Sequence, residues 1–179
     1  MLKKMLTYGA IAGLVAGGAL SLVVVALGED APHGGLGMLV GYLIMLAALS
    51  LVFVAIKRHR DDAPGGTIRF WPAFALGLGV SFVAGVIYAL AWETTLAVTG
   101  MDFAGSYANS IIEQQKARGV SGEALAKLVA ELERFKASYA NPAYRLPMTF
   151  IEIFPVGVLV SLLSAVILRN PRALPARRG

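Results

Sequence analysis

Four apolar runs, residues 5–27, 36–56, 71–93 and 148–168, each come close to the ~20 residues that an α-helix needs to cross a bilayer. Each is far too long for a strand, and none alternates between polar and apolar residues. In hydrocarbon a helix satisfies all its backbone N–H and C=O groups internally, so the chain is expected to be all-α and integral to a membrane. Composition agrees. The chain is 57% hydrophobic and 15% charged, against roughly 45–50% and about 25% in soluble domains, and its mean hydropathy is +0.69. A soluble enzyme is excluded on these grounds. The absence of cysteine excludes a disulfide scaffold, thiolate chemistry, iron–sulfur clusters and Cys-ligated zinc.

Flanking charge orients the spans. Lys3 and Lys4 precede the first run, Lys57, Arg58, Arg60 and Arg69 follow the second, and Arg169, Arg172, Arg177 and Arg178 follow the fourth. The turn between the first two runs holds Glu29 and Asp30 but no Lys or Arg. Basic flanks resist translocation, so both termini are expected in the cytoplasm. The pI of about 9.7 is then a topology signal, and no nucleic-acid partner is implied. The competing reading of the first run is a signal peptide cleaved near Ala26-Leu27-Gly28, but its apolar stretch exceeds the usual 7–15 residues.

Between the third and fourth runs, residues 100–147 form one long segment expected outside the membrane, with two helical patterns. Phe103, Tyr107, Ile111 and Ile112 share a face that Gly119 can terminate. After Ser121, a good N-cap, Leu125, Leu128, Val129, Leu132, Phe135 and Tyr139 recur at helical spacing until Asn141-Pro142. An amphipathic αα-hairpin follows, covered by itself, by lipid or by a partner. Small residues recur every four positions as Gly9, Gly13, Gly17, Ser21 and as Ala73, Gly77, Ser81, Gly85, Ala89, with shorter stripes at Gly37 and Gly41 and at Gly157, Ser161 and Ala165. Such stripes let helices approach closely in lipid, which predicts a compact four-helix bundle or a homo-oligomer.

Ionisable groups at membrane depth are the candidate functional residues. Counting ~1.5 Å per residue from the cytoplasmic ends places Glu152 about 24 Å and Glu93 about 33 Å up, both toward the outer face. Two carboxylates there could share a proton or a cation, with His33 as a third ligand. Against this, Glu152 lies near a helix N-terminus, and Glu93 can snorkel beside Trp92. Pro155 is expected to kink the fourth span next to Glu152. Tyr8, Tyr88, Trp71 and Trp92 have the character of interface anchors. No Ser-His-Asp, His-x-x-x-His or Walker pattern occurs, and no cofactor is implied.

The strings GYLIMLAALSLVFVAIKRHRDD from Gly41, GGTIRFWPAFALGL from Gly65, YALAWE ending at Glu93 and MTFIEIFPVGVLVSLLSAVILR from Met148 resemble the bacterial membrane family catalogued as domain of unknown function 4199. The resemblance implies a small four-span protein of the bacterial inner membrane and implies no activity. Its Trp-Glu and Glu-Ile-Phe-Pro strings fall on Trp92-Glu93 and on Glu152-Ile153-Phe154-Pro155. The leading expectation is a non-enzymatic accessory or scaffolding protein whose partner meets Leu125, Leu128, Leu132 and Phe135. The alternative is a small oligomeric cation- or proton-coupled carrier or channel using Glu93 and Glu152.

Overall fold

A computed structural model describes residues 1–27 and 34–175. Residues 28–33, with His33, and residues 176–179, with Arg177 and Arg178, lie outside the described residues. The described residues form six α-helices and no strand: α1 Leu2–Leu27, α2 Gly34–Asp61, α3 Phe70–Thr99, α4 Phe103–Ala117, α5 Gly122–Tyr139 and α6 Pro142–Leu168. The helices α1, α2, α3 and α6 are long and apolar enough to cross a membrane.

Local chemistry sets the boundaries. Pro72 sits in the first turn of α3, where its missing N–H leaves no hydrogen bond unmade. α3 stops at Gly100, whose positive φ of 64° lets its N–H return to the Leu96 carbonyl. Asp102 then caps α4 by accepting from the Gly105 N–H at 2.8 Å. Gly119, with φ 85°, turns the chain into α5. The Asn141-Pro142 pair serves two helices: α5 ends before it, and Asn141 caps α6 through the Ala143 N–H at 2.9 Å. α6 continues through Pro147 and Pro155 as one helix.

α3 is central. It packs along α1 on one side and α6 on another, and α2 touches all three. The two longest small-residue stripes do not face each other. Gly9, Gly13 and Gly17 of α1 seat against Val83, Ala84, Ile87 and Ala91 of α3. The α3 stripe turns instead to α6, with Gly77 against Ser161, Ser81 against Gly157 and Gly85 against Phe150. There the Ser81 and Ser161 hydroxyls meet at 3.2 Å, and Ser161 also donates to the Gly157 carbonyl. At the far end of the α1–α3 contact, Ser21 and Thr95 hydroxyls meet at 2.5 Å. α2 fills the remaining side with Met45, Leu49, Val52 and Ile56, all buried.

The N-terminus, the α2–α3 loop and the C-terminal tail gather at one end, here the basic end. Lys4 donates to Asp62 at 2.5 Å and to the Arg58 carbonyl at 3.3 Å. Arg60 is wholly buried; its guanidinium donates to the Ala173 carbonyl at 2.8 Å, to the Leu174 carbonyl and to Asp61. A charged fork bonded in this way pins the tail across the end of α2. Arg60→Gln is expected to release it. Limited trypsin digestion in detergent should then cut after Arg172 several-fold faster than in the parent protein, and an unchanged rate would deny Arg60 that role.

Candidate functional site

At the opposite end, the exit of α3, the start of α4, the end of α5 and the start of α6 converge. Arg145, in the first turns of α6, grips both oxygens of Glu93 near the end of α3, at 2.6 and 2.5 Å. Its remaining terminal nitrogen donates to the Tyr139 backbone carbonyl at 2.9 Å, and its guanidinium carbon stands 5.4 Å from the Tyr139 ring centre. The Arg145 and Glu93 side chains are only 14% and 19% exposed, so a planar bidentate pair forms where water is scarce.

A second link lies beside the first. The Trp92 indole N–H donates to the Tyr139 hydroxyl at 2.8 Å. Phe103 meets the Trp92 ring edge-on at 5.1 Å, and Phe135 packs between Tyr107 and Tyr139 at 5.8 and 5.4 Å. Burial pushes the Tyr139 phenol above its ordinary value, opposed by the Trp92 hydrogen bond and the Arg145 charge, while the Glu152 and Glu93 carboxylates add to the rise. Tyr139 therefore stays a neutral phenol that accepts from Trp92.

These side chains border an open cleft of about 600 Å³, whose polar lining is Glu93, Asp102, Lys136 and Arg145 and whose apolar lining includes Leu96, Ala97 and Phe103. Directly along the same α3–α6 seam, toward the middle of the long helices, lies an apolar groove of about 360 Å³ between Phe82, Val86 and Leu90 of α3 and Leu146 and Phe150 of α6. The seam is antiparallel, with Glu93 opposite Arg145 and Gly85 opposite Phe150. Leu90 and Leu146 of the groove stand next along their helices to Glu93 and Arg145 of the cleft, so the two follow one another along the seam.

The family described as "Protein of unknown function (DUF4199)" matches residues 7–170. The chain belongs to this family. No curated protein and no solved structure matches it. In this DUF4199 protein the residues singled out from the sequence occupy three different settings. Glu93 lines the cleft, and Trp92 lies behind the lining, bonded to Tyr139. Trp92, at 5% exposure, is a buried hydrogen-bond donor rather than a headgroup anchor, and Tyr88 is buried too; Trp71, at 73%, has the exposure an anchor needs. Glu152 and Pro155 lie further along α6, both exposed on the surface of the chain, and among the described residues no hydrogen bond or ion pair reaches Glu152.

Both oxygens of Glu93 thus serve Arg145, and His33 lies outside the described residues. Among the described residues no three His, Cys, Asp or Glu side chains assemble to hold a metal ion. Sequence reasoning missed Arg145, Tyr139, Lys136 and Asp102 as one constellation. One signal pointed to Arg145: an acid at membrane depth needs a cation, and Arg145 is the basic residue nearest the start of the fourth apolar run. Chemically the DUF4199 cleft offers two cations and two anions around an aromatic wall. That set can bind a charged group.

Proposed function

We propose that the protein is a non-enzymatic accessory or scaffolding protein of the bacterial inner membrane. In this reading α1, α2, α3 and α6 form a four-helix bundle, both termini are cytoplasmic and α4–α5 is an external hairpin. The observation that carries it is the double link at the hairpin end, where Glu93–Arg145 and Trp92–Tyr139 tie α5 and its junction with α6 to α3. A hairpin so fixed can present a surface at a constant height and angle above the lipid. The collection of Lys4, Lys57, Arg58, Arg69 and Arg169 at the basic end supports its cytoplasmic placement.

The hairpin's apolar residues are half-covered. Leu125, Leu128, Leu132 and Phe135 are partly buried, and α4 and α5 pack on each other. The surface offered to a partner is therefore the exposed polar face of α5, with Lys127, Glu131 and Arg134. The test is extraction of native-level protein in mild detergent, with its mass and copurifying proteins determined. A stoichiometric partner is expected, and Lys127→Glu with Arg134→Glu should release it; if the doubly substituted protein keeps the partner, the hairpin is not the contact.

The carrier or channel alternative keeps one supporting observation, the unpartnered and exposed Glu152 on a spanning helix. Proton or cation flux in liposomes that Glu152→Gln leaves unchanged would remove it.

A further inference from the structure

We propose that the α3–α6 furrow binds one phospholipid with a zwitterionic, ammonium-bearing headgroup, the head in the polar cleft and one acyl chain in the apolar groove. The proposal needs only that the long helices span a membrane and does not depend on the accessory reading. Three observations carry it. The cleft and the groove are consecutive along one seam, so a single amphipathic molecule lying parallel to the helices fills both. The groove wall is hydrocarbon, from Leu90 and Leu146 next to the cleft to Phe82 and Phe150 further in, which is what an acyl chain requires and a soluble ion does not. The cleft lining balances Lys136 and Arg145 against Glu93 and Asp102.

That balance selects the head. Arg145 spends Nε, one Nη2 contact and one Nη1 contact on Glu93 and the Tyr139 carbonyl, which leaves part of its five-donor fork free for a phosphate oxygen. Lys136 holds Glu133 at 3.0 Å with its side chain 33% exposed, so its ammonium retains further donors. Asp102 uses Oδ1 for the Gly105 N–H, leaving Oδ2 as an acceptor for a primary ammonium. A lipid with phosphate alone leaves Asp102 Oδ2 unmet, and a quaternary ammonium has no N–H to give it.

The full chain in mild detergent, analysed by native mass spectrometry with added phosphatidylethanolamine, phosphatidylcholine, phosphatidylglycerol or inorganic phosphate, decides the matter. One phosphatidylethanolamine per chain is expected to be retained about tenfold more strongly than either other lipid. Lys136→Gln with Asp102→Asn should reduce that retention about tenfold; the Asn still caps α4, so the fold is kept. Leu90→Trp, which fills the groove, should abolish retention, and Val86→Phe repeats the test at a second position, each checked for unchanged helix content. Equal retention of all three lipids, or retention that the groove and cleft substitutions leave intact, would mean an ordinary surrounding lipid and overturn the proposal. Preference for phosphatidylglycerol, or complete displacement of the lipid by inorganic phosphate, overturns the zwitterionic head. A chain that stays monodisperse without detergent would instead defeat the membrane placement itself.

Discussion

Arg145→Leu is expected to cost about 2–4 kcal/mol of stability, at or below the range for breaking a buried ion pair because both partners keep some exposure. The loss comes mainly from Glu93, whose carboxylate is left in the junction of α3 and α6 with neither of its two N–H donors. Glu93→Gln alone should cost less, since an amide oxygen still accepts from Arg145. The double substitution Glu93→Gln with Arg145→Leu should recover much of the loss, as replacing both members of such a pair often does. Thermal unfolding in detergent can be followed by tryptophan emission, because Trp92 is buried beside the pair and Trp71 is exposed. Equal melting of all four proteins would show that the pair contributes nothing to holding the hairpin end together.

Two glycines five positions apart on α1 should respond oppositely. A Cβ on Gly13 would stand 2.7 Å from the Ala84 carbonyl oxygen and from the Ile87 Cβ, so Gly13→Ala forces α1 and α3 apart. Overpacking of this kind costs about 1–3 kcal/mol, and Gly13→Leu should detach α1 altogether. Gly18 has nothing within 4 Å of its would-be Cβ, so Gly18→Ala should be neutral or raise stability by up to about 1 kcal/mol through helix propensity. Melting temperatures of the two alanine variants measured side by side read the difference. If Gly18→Ala were as damaging as Gly13→Ala, Gly18 would be lying in a contact with another chain, on a face other than the α1–α3 seam.

The helices were legible because their signals are local. A hydropathy window, a cap such as Asn141 before Pro142 and a glycine every fourth residue are all read from neighbours in the chain. What each stripe faces was not legible, since Gly9, Gly13 and Gly17 carry no mark of Val83 or Ile87, and the α3 glycines none of Ser161. The site was half legible. Trp92 and Glu93 stood out as polar groups at the end of an apolar run, but their partners Tyr139 and Arg145 are ordinary residues of an amphipathic helix and a span flank. Only folding brings them within hydrogen-bonding distance. Trp92 shows the same limit from the other side: a tryptophan at the end of a span has the pattern of a headgroup anchor, and only the arrival of Phe103 and Tyr139 turns it inward.

The Glu93–Arg145 pair also has a history within each molecule's synthesis. Arg145 is added 52 residues after Glu93, and at about 5–20 residues per second the ribosome needs roughly 3–10 s to supply it. For most of that interval α3 (Phe70–Thr99) is complete while its acid has no guanidinium, and the seam with α6 does not exist. The end of α3 must therefore wait without its partner until α6 emerges. Insertion of α1, α2 and α3 can proceed as the chain grows, whereas the hairpin junction closes only once α6 has been made, so assembly of the whole site depends on that helix.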